Sequence, residues 1–164
     1  MNTKKLTFSA LLIAIGVFTG TMIYIPVGVA KCFPVQHSIN VLAGVLLGPR
    51  YSVAIAFCIS LLRNILGTGS LLAFPGSMIG AYLAGMLYEK RGNIMNALTG
   101  EVVGTGIIGA LISYPIAKFI LGKKIAALFY VAPFLISSLG GAIIAFSILK
   151  IFSHNLFLKK FNKV

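Results

Sequence analysis

The sequence predicts an all-α integral membrane protein: a bundle of six transmembrane helices with both termini cytoplasmic. Three observations carry this. Hydrophobic residues make up 59% of the chain, and its mean hydropathy of +1.02 is far above that of a soluble domain. The uncharged runs Leu6–Ala30, Asn64–Tyr88 and Ile125–Leu149 each exceed the roughly 20 residues that cross a bilayer as a helix. There is no Asp, and Glu89 and Glu101 are the only acids against 14 Lys and Arg. Those bases fall singly or in pairs between apolar runs, as topology signals facing anionic membrane lipid do. They make no basic face for nucleic acid.

Punctuation divides the chain into helices at about 6–24, 37–48, 51–66, 73–89, 94–120 and 126–151. The first follows Lys4 and Lys5, but its apolar run outlasts the roughly 7–15 residues of a signal peptide, so it reads as a retained helix. The segment from Ile25 to Pro34 holds two prolines and a lysine and reads as a loop, because proline removes backbone donors. The second helix is short and ends at Gly48, Pro49 and Arg50. Glycine-rich turns at 67–70, 92–93 and 122 close the third, fourth and fifth helices. Residues 1–152 form the membrane domain and 153–164 a basic cytoplasmic tail. With the N-terminus inside, Lys4, Lys5, Arg50, Lys90, Arg91, Lys150, Lys159, Lys160 and Lys163 are cytoplasmic, whereas Lys31, Lys118, Lys123 and Lys124 lie outside. That bias orients the chain.

Small or polar residues recur four apart, on one helix face. They are Ser52, Ala56, Ser60 and Asn64; Gly76, Gly80 and Ala84; Glu101, Thr105, Gly109 and Ser113; and Ser137, Gly141 and Ala145. Such stripes let membrane helices pack closely.

No catalytic apparatus is legible. Gly122-Lys123 is no phosphate-binding loop, because residue 117 is Ala. Without Asp there is no usual acidic Mg²⁺ cluster. His37 and His154 are the only histidines, and Cys32 and Cys58 lack metal spacing. The reading is of a binding protein with no cofactor and no metal. Gln36, His37 and Asn40 cluster at the start of the second helix. Arg63, Asn64, Thr68 and Ser70 follow at the outer end of the third, and Tyr114 and Tyr130 stand at the same level. Together they supply donors, acceptors and aromatic walls for a small molecule. The tyrosines by themselves also suit an interfacial belt, and Arg63 also suits snorkelling to headgroups.

Glu101 is a charge inside a spanning run, costly in hydrocarbon unless paired or wetted. At 1.5 Å per residue it lies about 10 Å into the bilayer and Arg63 about 18 Å. The axial gap of about 8 Å permits an ion pair between them; the alternative is a structural hydrogen-bonding group.

Two segments carry a resemblance: Phe33 to Tyr51, which includes Gln36-His37-Ser38-Ile39-Asn40, and Ser60 to Ser77, which includes Leu62-Arg63-Asn64-Ile65-Leu66-Gly67-Thr68-Gly69-Ser70. Both resemble the ThiW family of S components from energy-coupling factor (ECF) vitamin transporters, over about residues 5–152. The resemblance implies a multi-pass cell-membrane protein that binds a thiamine precursor, hydroxyethylthiazole. It implies docking on a transmembrane coupling protein driven by two cytosolic ATPases, through Ala10 and Ala14, and a lid made by the first loop. The competing reading is a stand-alone proton-coupled transporter using Glu101; a third is a membrane-integrated enzyme or structural subunit.

Overall fold

The computed structural model describes residues 3–27, 30–124 and 126–154. Six helices follow one another: α1 (Thr3–Met22), α2 (Pro34–Leu47), α3 (Pro49–Ile65), α4 (Ala73–Arg91), α5 (Ile94–Ile120) and α6 (Val131–His154). The basic tail beyond residue 154 lies outside the described residues.

The boundaries follow from proline and glycine chemistry. Pro34 and Pro49 open α2 and α3 from their first turns, where the missing N–H has no helical partner to lose. Both helices therefore start two or three residues earlier than the sequence suggests. Pro133 acts likewise in α6, which begins at Val131 rather than near 126 because proline is tolerated only in the first turn. Inside α5, Pro115 removes a backbone donor, and the helix widens into a π turn over Ile116–Ile120; another spans Gly104–Gly109.

The first loop carries two short strands. Ile25–Val27 (β1) pairs antiparallel with Ala30–Cys32 (β2), Ile25 opposite Cys32 and Val27 opposite Ala30. Two contacts pin this hairpin to α6: the Phe33 N–H donates to Ser137 Oγ at 2.8 Å, and the Cys32 thiol donates to the Pro133 carbonyl at 3.1 Å.

Helix α1 lies at the edge against α2 and α3, whereas α4 is central, touching α2, α3 and α5. The α4–α5 contact is backbone on backbone. A Cβ at Gly104 would stand 2.7 Å from Gly80 Cα, one at Gly100 2.6 Å from the Leu83 carbonyl oxygen, and Gly109 meets Gly76 as closely. The small-residue stripes thus face inward and allow an approach that any larger side chain would block.

Three of the helices, α1, α5 and α6 (to Ile151), are long and apolar enough to cross a membrane. The outer surface displays Phe18, Met22, Ile65, Phe119, Ile120 and Ile143, an apolar exposure that hydrocarbon accommodates and water does not. The interior is the more polar part, with Gln36, Asn40, Arg63, Ser77, Glu101 and Thr105 all buried. Apolar packing fills the end away from the hairpin, where Val41, Val45, Ala84, Leu98 and Leu149 form one buried cluster.

Candidate substrate site

At the hairpin end the helix termini enclose a cavity of about 470 Å³, the size of a small-ligand site. Gly20 and Tyr24 close one side, and the hairpin contributes Lys31 and Phe33. Gln36, His37 and Ser77 line its depth, while Phe129, Tyr130 and Phe134 supply aromatic surface from the start of α6.

The floor is a connected hydrogen-bond network. Glu101, 0% exposed, accepts at Oε1 from His37 Nδ1 at 2.7 Å, Asn40 Nδ2 at 3.1 Å and Thr105 Oγ1 at 2.9 Å. Thr105 shares its single proton with the Gly76 carbonyl at 3.0 Å. Ser77 Oγ accepts from Gln36 Nε2 at 3.1 Å and Asn40 Nδ2 at 3.2 Å. Helices α4 and α5 are thereby tied to α2, and the network holds the edge of the imidazole against Glu101. Gly141 on α6 permits this placement, since a Cβ there would lie 2.6 Å from His37 Cβ. Only Oε1 of Glu101 is partnered; Oε2 is buried without a hydrogen bond.

Arg63 forms the wall above. Its Nη1 donates to Gln36 Oε1 and its Nη2 to the Thr68 carbonyl at 3.0 Å. The guanidinium lies 3.8 Å from the centroid of the Phe33 ring, a cation–π contact. In the hairpin, burial pushes the Cys32 thiol above its ordinary pKa, which keeps the proton it donates to Pro133.

The chain was compared with known proteins once this geometry was in hand. The family model described as "Thiamine-precursor transporter protein (ThiW)" matches residues 6–155. The chain belongs to the ThiW family. No curated protein and no solved structure matches it. As a ThiW member it is a membrane transporter protein for a thiamine precursor, a small-molecule substrate.

In this ThiW chain the cavity brings together Gln36, His37, Arg63, Thr68, Ser70 and Tyr130. Asn40 lies beneath the floor, fully buried, and reaches the cavity only through Ser77 and Glu101. Asn64 is turned to the loop backbone, donating to the Ser60 carbonyl at 2.8 Å and the Ser70 carbonyl at 3.1 Å. Tyr114 does not line the cavity; its ring lies beside Lys118 Nζ at 5.7 Å. The expected approach of Glu101 to Arg63 is corrected: the partner of Glu101 is His37. Axial depth sets how far a residue lies along a helix, but not which way it faces around it.

Sequence reasoning missed Ser77, Phe33 and two aromatics, Phe129 just before α6 and Phe134 within it. Ser77 stands one residue after Gly76 of the stripe, a signal that was available. The aromatics gave none, being ordinary residues of an apolar run.

Proposed function

We propose that this ThiW protein is the substrate-binding S component of an ECF transporter, capturing hydroxyethylthiazole from outside the cell. One observation carries the reading: among the described residues the cavity lies at the hairpin end, and buried apolar packing occupies the opposite end. A one-sided cavity captures a ligand but offers no path across the bundle, so release requires the whole subunit to be reoriented by a partner. Tyr and Phe rings suit stacking on a small heteroaromatic ring, and His37, Gln36 and Ser77 suit its hydroxyl.

The same reading has six spans, the hairpin as an external lid and both termini in the cytoplasm of a multi-pass plasma-membrane protein. Lys4, Lys5, Arg50, Lys90, Arg91 and Lys150 collect at the end away from the hairpin, as the positive-inside rule requires. The partners are a transmembrane coupling protein and two cytosolic ATPases, docking along α1, where Ala10 and Ala14 are exposed and allow close helix contact. The subunit binds its ligand without transforming it.

The test is calorimetric titration of the purified chain with hydroxyethylthiazole, its phosphate, thiamine and the thiamine pyrimidine. Binding of a thiazole above the other two supports the reading, and no binding to any of the four sinks it. The buried His37–Glu101 pair beside the cavity favours one second reading, a proton-coupled transporter. It requires uptake by cells that lack the ATPases and loss of that uptake with an uncoupler.

A further inference from the structure

We propose that the cavity contains an anion subsite, formed by Arg63 with Lys31 and Lys123, and that the ligand it selects carries a phosphate monoester beside its ring. The proposal rests on the thiazole-binding reading and assigns the phosphate ester, in place of the free alcohol, as the preferred form of the thiazole.

Charge accounting leads to it. Arg63 is 1% exposed, and a cation so placed is ordinarily neutralised by a carboxylate. Here every partner is neutral: the Gln36 side chain, the Thr68 carbonyl and the Phe33 ring. The whole sequence offers only two acidic side chains. Glu101 is engaged by His37, Asn40 and Thr105, and Glu89 lies at the far end beside Gly48. Among the described residues no carboxylate lines the cavity, whereas Lys31 and Lys123 both do. Three cations therefore face one space with no counter-charge from the protein.

A donor is also left free. Arg63 Nε is buried with no hydrogen-bond partner, packed so closely against Gly20 that a Cβ there would stand 2.7 Å away, and both residues line the cavity. An unspent guanidinium donor next to a cavity is the arrangement that takes an oxyanion. A phosphate monoester carries about −1.5 to −2 charges at neutral pH, which suits three cations better than a neutral alcohol does. The hydrophobic and aromatic remainder of the cavity is left for the ring.

Phosphate could reach these cations from a free ester or from a lipid headgroup, and the experiment separates the two. The intact chain is titrated with hydroxyethylthiazole and with its phosphate monoester in phosphatidylcholine nanodiscs, and again in phosphatidylglycerol nanodiscs. The ester should bind about tenfold tighter or more, and its affinity should fall with added salt. The preference should collapse in Arg63→Gln. It should shrink in Lys31→Gln/Lys123→Gln, whose exposed side chains can be changed without disturbing the buried wall. An alcohol that binds as tightly as the ester overturns the subsite, as does a preference that survives both variants. A preference seen in phosphatidylcholine but abolished in phosphatidylglycerol assigns the cations to headgroups and overturns it too. If neither thiazole binds, the thiazole reading fails, and inorganic phosphate then decides the subsite: Arg63-dependent binding keeps it, and no binding removes it.

Discussion

Replacing Glu101 by alanine should damage the bundle more than any other single truncation on the cavity floor. The side chain is 0% exposed and its Oε1 takes three donors. Two have a second acceptor to fall back on, Thr105 with the Gly76 carbonyl and Asn40 with the Ser77 carbonyl. His37 Nδ1 has none, so one partly buried donor is orphaned at about 1–3 kcal/mol. The void left by the truncated chain adds about 1–2 kcal/mol. The sum spans about 2–5 kcal/mol, and the cost of breaking a buried pair places it near 4 kcal/mol. It corresponds to an apparent Tm lower by roughly 8–16 °C for a chain of this size, read by circular dichroism of the purified protein in detergent. Glu101→Gln keeps the volume and one carbonyl oxygen, and should cost about half as much. A cycle with His37→Ala isolates the pair, with a coupling of about 1–3 kcal/mol. An unchanged Tm in Glu101→Ala, or strictly additive single effects in the cycle, would refute the pairing.

Gly80→Ala would place a methyl 2.7 Å from Glu101 Oε2 and nearer still to Thr105 Oγ1; overpacking of about 1–3 kcal/mol should lower both Tm and ligand affinity, and a neutral result would deny the close α4–α5 crossing. Cys32 should be alkylated slowly by iodoacetamide at neutral pH, as measured by mass spectrometry in a Cys58→Ser background, because its raised pKa leaves little thiolate. The sign is fixed: the folded pKa lies above the unfolded one, so the thiol's contribution is present below the ordinary thiol range and lost as pH rises through the raised value. Fast labelling of the folded protein at pH 7 would contradict the buried hydrogen bond to Pro133. Ala14→Leu should leave ligand titration unchanged but reduce uptake by the assembled transporter, since bulk on the exposed face of α1 prevents close helix docking; normal uptake would move the docking face elsewhere.

Much of the bundle was legible because membrane helices are announced locally. The α5 bounds, 94 to 120, stand in the structure as the flanking turns predict. The small-residue stripes likewise point inward, because four-residue spacing alone puts them on one face. Errors came where a residue had two structural uses. Pro34 and Pro49 read as helix breakers and Pro133 was passed over inside a helix, yet each sits in a first turn. The segment from Ile25 to Cys32 read as a plain loop, although its two short strands pair with each other and are held by α6.

The sequence by itself determined that this chain is an apolar helical bundle with two isolated internal charges, and that Gln36, His37 and Arg63 belong to one end of it. Run length, turn residues and charge scarcity are properties of neighbours along the chain. Only the tertiary structure decided the partners. Glu101 and His37 are 64 residues apart, and their meeting depends on the rotation of α2 and α5 about their axes, which Gly80, Gly104 and Gly141 permit by letting backbones touch. The same packing left Arg63 beside Gln36 and Phe33 with no acid in reach, because the protein's one other internal charge was already engaged by His37.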